Sequence, residues 1–168
     1  MDKKVANSSY KKKVNKRIEK KNLYHKIMKY CAYQERSEYD VIEKLKVYHL
    51  NEIEISEIIN KLKEENFINN QRFARVYAIG KFRNNRWGRI RIRYELKRKS
   101  FAEKEIMTAL DVIDEEEYEK MILQLIRKKE RLITNPELYI RQNKIVKFIC
   151  SKGFEHDIVW DIVKKVIH

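Results

Sequence analysis

Between Lys81 and Lys99 the chain sets nine Lys or Arg against a single acidic residue, Glu95. Arg83, Arg86, Arg89, Arg91, Arg93 and Arg98, with Lys97, supply chemistry for anions. A guanidinium offers N–H donors in a planar fork that matches two oxygens of a phosphate or carboxylate at once. Trp87 lies among them and can stack on a base or fill a partner's pocket, its ordinary alternative being packing at a unit boundary. Arg72 and Arg75 extend the group, although Arg72 equally suits a structural salt bridge. A second concentration, nine Lys or Arg against two acidic residues, occupies positions 1–22 and includes Lys12 and Lys13. Its few apolar residues predict a mobile, electrostatic arm. The formal net charge is +14, and these two segments hold all of the excess. Charge concentrated in this way raises the local potential and attracts polyanions.

Other reactive residue types lack a working arrangement. His25, His49, His156 and His168 show no metal-ligand spacing with Cys31, Cys150 or carboxylates. Glu115, Glu116 and Glu117 read as an acidic helix start, favourable with the helix dipole. Neither a GxxxxGK[ST] phosphate loop nor a GxGxxG turn is present. No catalytic residue, cofactor site or metal site is therefore expected, and the chain reads as a binding protein rather than an enzyme. The two cysteines fit reduced thiols, and no stretch nears eighteen apolar residues, so a cytoplasmic monomer without membrane contact is expected.

The elements that position the cations are ambiguous at first sight. In "RWGRIRIRYELKRK" (86–99) the run Arg89–Leu96 alternates polar and apolar residues, the period of a half-buried strand. Three glycines and one proline in 168 residues argue instead for helices throughout.

An internal repeat resolves the ambiguity. "SEYDVIEKLKVYHLNEIEISEII" (37–59), "GRIRIRYELKRKSFAEKEIMTAL" (88–110) and "RQNKIVKFICSKGFEHDIVWDIV" (141–163) share one pattern. Aliphatic pairs four apart recur as Val41/Leu45, Ile92/Leu96 and Ile145/Ile149. Leu50, Phe101 or Phe154 follows each pair, and then come Ile55/Ile59, Ile106/Leu110 and Ile158/Ile162. Residues four apart share a helix face, so each stretch predicts a helix, a turn and a helix. An amphipathic segment precedes each hairpin: Leu23/Ile27/Tyr30/Cys31, Phe73/Val76/Tyr77 and Tyr118/Met121/Ile122/Leu125. Ser37 with Asp40 predicts a capping box, Asn135–Pro136 an N-cap and N1 pair, and Gly153 a turn. Arg89, Arg93 and Lys97 then form an i, i+4 ladder beside the Ile92/Leu96 seam.

These residues resemble a known family, the bacterial RecX regulators of the recombinase RecA. The resemblance is carried by "ERSEYDVIEKL" (35–45), "FINNQRFARVYA" (67–78), "WGRIRIRYEL" (87–96) and "SKGF" (151–154). It runs from about residue 23 to the C-terminus. Asn69 and Asn70 stand where the family has paired Asp, and Arg89 stands where it often has Pro. Asp40 and Val41 replace its usual Glu-Leu. The Asn pair still suits an N-cap ahead of Arg72 and Phe73.

The resemblance implies an all-α, elongated array of three tandem three-helix (helix-turn-helix-like) repeats, over 23–66, 67–113 and 114–168, after the basic arm 1–22. It also implies a regulator that lies in the groove of the RecA–DNA filament and restrains recombinase and coprotease activity in DNA repair and the SOS response. The expected partners are the RecA filament and single-stranded or duplex DNA within it, bound non-specifically through Arg83, Arg86, Trp87, Arg89, Arg91, Arg93, Lys97 and Arg98. Two alternatives remain: a helix-turn-helix transcriptional regulator reading DNA with residues 89–99, and a non-specific nucleic-acid-binding helical protein.

Overall fold

A computed structural model describes residues 21–168, which form nine helices and no strand. Lys12 and Lys13 lie outside the described residues. The helices come in three successive triplets. The first is α1 (residues 21–33), α2 (Glu38–Lys46) and α3 (Glu52–Glu64); the second is α4 (Asn70–Asn85), α5 (Arg89–Arg98) and α6 (Glu103–Leu110). The third is α7 (Glu115–Glu130), α8 (Leu138–Cys150) and α9 (His156–Val166). The alternating run of 89–96 is helical, with Ile92 and Leu96 fully buried, as are Val41/Leu45 and Ile145/Ile149.

The triplets agree in backbone as well as in side chains. His49 (φ 51°), Ser100 (φ 65°) and Gly153 (φ 88°) each stand four residues past Leu45, Leu96 and Ile149. A left-handed residue after a helix lets the chain fold back onto the last carbonyls, and an apolar residue following it closes the hairpin. That residue is Leu50, Phe101 or Phe154, the last two buried. The left-handed conformation costs a residue with a Cβ about 1 kcal/mol. His49 and Ser100 bear that cost, whereas the third turn uses glycine for a reason found in its packing.

Two compact units result, one ending at Asn70 and the other running Gln71–His168. In the first, Ile27, Cys31, Val41, Leu45, Ile59, Leu62 and Ile68 form the core. Ser37 caps α2 by the expected box: its hydroxyl oxygen accepts from Asp40 N (3.1 Å), and Ser37 N donates to the Asp40 carboxylate (3.2 Å). Asn70, expected at the entry to α4, is the first residue of that helix. Its side-chain oxygen accepts from Glu38 N (3.1 Å), satisfying one of the free donors of α2 instead.

In the second unit the second and third triplets share one continuous core, from Phe73 and Phe82 through Ile92, Leu96 and Tyr118 to Ile145, Phe154 and Val163. Tyr118 is its centre. Its ring packs on Phe82 and Phe154, its oxygen accepts from Arg89 N (3.1 Å), and its hydroxyl donates to Glu155. The N-terminus of α5 has no side-chain cap, and the third triplet supplies acceptors in its place. Gly88 N donates to Lys152 O and Ile90 N to Gly153 O, both at 3.0 Å.

Two glycines make this approach feasible. A Cβ on Gly88 would stand 2.2 Å from Gly153 O, and one on Gly153 would stand 2.3 Å from Arg91 Cβ. The third turn is thus glycine because α5 lies against it, while His49 and Ser100 occupy the same place in turns that tolerate a side chain.

Two expectations are corrected. Val76 is 52% exposed; the buried stripe of α4 is Phe73, Ala74, Ala78 and Phe82, and at about 100° per residue Val76 falls on the opposite side of the helix from that stripe. Asn135 does not cap α8, which begins at Leu138 after Glu137. The Asn135 side chain accepts from Glu137 N (2.9 Å), a local turn ahead of the helix.

Candidate functional site

The cations of 81–99 gather on the end of α4, the loop 86–88 and α5. Two alternatives compete for each of them, a carboxylate of the same unit or solvent, and geometry separates them.

Arg89 is engaged inside the unit. Its side chain is only 18% exposed and forms a double contact with Glu115 (2.7 and 3.2 Å). It also donates to Ile113 O (3.2 Å), and its guanidinium lies 4.1 Å from the centre of the Tyr118 ring. Arg83 binds both oxygens of Glu117 (2.9 and 3.0 Å). Arg93 (2.7 Å) and Lys97 (3.0 Å) converge on Glu103 at the start of α6. The hydrogen bond from Lys97, with that from Arg93, holds the Glu103 carboxyl below the usual carboxylate range. The i, i+4 ladder of Arg89, Arg93 and Lys97 therefore exists, and all three of its members have acidic partners.

The other cations are placed differently. Arg91 is exposed and stacks on Trp87, 4.2 Å from the ring centre, with Lys81 at 4.9 Å from the same ring. Trp87 is half-buried against the core of the unit, so it both packs and presents a face to cations. Arg86 is exposed in the left-handed region (φ 54°), directly after α4. Arg98 touches Glu95 only at 3.5 Å, the two residues being three apart on one helix. Such an exposed pair contributes about 0.5 kcal/mol or less. Arg75 is exposed on α4, and Arg72 is half-buried and engaged within the protein. No carboxylate pairs with Arg86 or Arg91 among the described residues.

Sequence reasoning missed the three carboxylates that answer the patch, whereas two apolar residues within it, Ile90 and Tyr94, fall off the Ile92/Leu96 seam as the helical period requires, Tyr94 being a candidate contact on that ground. Ile90 is 53% exposed and Tyr94 61%. On a helical wheel both fall opposite the Ile92/Leu96 seam. Glu115, Glu116 and Glu117 are taken up in ion pairs with Arg89, Lys120 and Arg83. No group of His, Cys, Asp and Glu among the described residues is arranged to hold a metal ion, and no described helix is long and apolar enough to cross a membrane.

Comparison with known proteins agrees with this architecture. Residues 69–110, which contain the whole of α4, α5 and α6, match a family model described as the RecX second three-helix domain. The regulatory protein RecX of Clostridium botulinum (strain Eklund 17B / Type B) is 32% identical over 135 residues, covering 79% of this chain and 63% of that protein. That of Bacillus cytotoxicus is 29% identical over 155 residues, covering 92% of this chain and 55% of that protein. The chain thus spans less than two thirds of the length of these relatives.

Among solved structures, RecX from Lactobacillus salivarius superposes with a TM-score of 0.79 at 26% identity, over 88% of this chain and 96% of that one. A second regulatory protein RecX gives 0.77 at 26% identity, over 87% and 71%. By sequence along most of its length, by the matched three-helix domain and by fold, the chain belongs to the RecX family of regulatory proteins.

Proposed function

We propose that this protein binds the RecA–DNA filament and restrains RecA's recombinase and coprotease activity in DNA repair and the SOS response. The observation that carries the proposal is the cationic corner of α4 and α5, set on a compact two-triplet unit, in a chain of the RecX family. A filament of recombinase on DNA is a repeating polyanionic surface, and a concentrated positive potential raises the rate of encounter with it. Arg86, Arg91 and Arg98, with Trp87 beneath Arg91, form the gripping edge. Arg83, Arg93 and Lys97 border it while exchanging contacts with Glu117 and Glu103, and Arg89 holds α5 in place.

A sequence-reading regulator is less well supported. Base-edge readout draws on Asn, Gln, Ser or Thr alongside Arg, and residues 89–99 contain none of these. The test is titration into RecA's ATPase stimulated by single-stranded DNA. The expected result is inhibition well below one molecule per RecA protomer. Absence of inhibition, together with tight binding to one duplex sequence, refutes the proposal.

A further inference from the structure

The core seam of α5 is Ile92 and Leu96. Ile90 and Tyr94, four apart, occupy the opposite face and point outward, each more than half exposed. Arg93 and Lys97 border them on one side, both held by Glu103. Arg91 and Arg98 border them on the other, the first stacked on Trp87 and the second 6.0 Å from the Tyr94 ring.

This mixture decides the chemistry of the partner. A phosphate backbone calls for cations and offers no surface against which Ile90 could be buried. A stack of bases calls for aromatic faces, and Ile90 has none. An aliphatic residue and a tyrosine beside arginines is the make-up of a protein–protein interface centre. The face is also pre-organised, because Ile90 N is bonded to Gly153 O and Arg89 is locked on Glu115.

We infer that the outward face of α5 docks an acidic protein surface, with Ile90 and Tyr94 seated in an apolar depression and Arg91 and Arg98 on the carboxylates bordering it. The inference rests on the filament-binding reading and makes the recombinase protein, rather than its DNA, what α5 touches.

The experiment measures binding of the full chain to labelled oligo(dT), naked and coated with RecA, by fluorescence anisotropy. An Ile90→Ser, Tyr94→Ser double variant alters only exposed side chains, and its far-UV circular dichroism should match the parent. Affinity for the coated strand should fall about tenfold or more, while affinity for the naked strand stays within about twofold. Unchanged affinity for the coated strand overturns the inference, as does an equal loss on both strands, which would put DNA on α5. A parent chain that binds naked but not coated strand overturns the filament reading and this inference with it.

Discussion

Replacing Gly88 with alanine tests the claim that the second and third triplets are one unit. The new Cβ would lie 2.2 Å from Gly153 O and 2.3 Å from Gly153 C and Phe154 N. These are backbone atoms on both sides, so no rotamer change relieves the overlap. The turn at 151–153 must retreat from α5, which weakens the two 3.0 Å bonds from Gly88 N and Ile90 N. Each bond contributes about 1 kcal/mol net, and overpacking at such a site adds about 1–3 kcal/mol. The expected loss is therefore about 3–5 kcal/mol, a large share of the roughly 5–15 kcal/mol that stabilises a typical domain.

The assay is urea unfolding followed by tryptophan fluorescence, because Trp87 and Trp160 both belong to the unit Gln71–His168. With a urea slope of about 1–3 kcal/mol per molar, the midpoint should drop by roughly 1–5 M. Gly80→Ala is the control. Nothing lies within 4 Å of a Cβ at that helical position, and the higher helix propensity of alanine should raise stability by about 0.5–1 kcal/mol. If Gly88→Ala unfolds within about 0.5 kcal/mol of the parent, the close approach of the two triplets is wrong.

Other outcomes follow from the same geometry. Arg89→Glu places a carboxylate against Glu115 and should lower the urea midpoint clearly, whereas Arg91→Glu, an exposed position, should leave stability within about 0.5 kcal/mol of the parent while reducing RecA inhibition. Glu103 has its folded pKa below the unfolded value, so its contribution is present above about pH 4.3, the unfolded value, and is lost as pH falls through the folded one. Glu103→Gln should accordingly flatten the acid limb of a stability–pH curve measured by thermal melts. Burial pushes the Cys31 thiol up to about 11, and since the thiolate is the reactive form, Cys31 should react with an aromatic disulfide reagent at pH 8 far more slowly in the folded chain than in urea.

Much of the fold is legible in the sequence because helix formation and face selection are local. The three aliphatic pairs are buried as their spacing requires, and the Ser37/Asp40 box closes over three residues. The left-handed residues at 49, 100 and 153 follow the same repeat. The alternation of 89–96 misleads only if read alone, since the sister hairpins keep the seam without the alternation.

The site is less legible, because opposite charges meet across the fold. Arg83 and Glu117 are 34 residues apart and Arg89 and Glu115 are 26 apart, distances over which no local period operates. The sequence by itself determined the helices, their inward faces, the repeat and the place where positive charge is concentrated, since these depend on residues three to five apart or on composition. Only the tertiary structure decided which cations are already answered by carboxylates and which glycines exist to let two helical triplets touch. Those outcomes depend on which helix ends are brought together, and packing of the whole unit sets that.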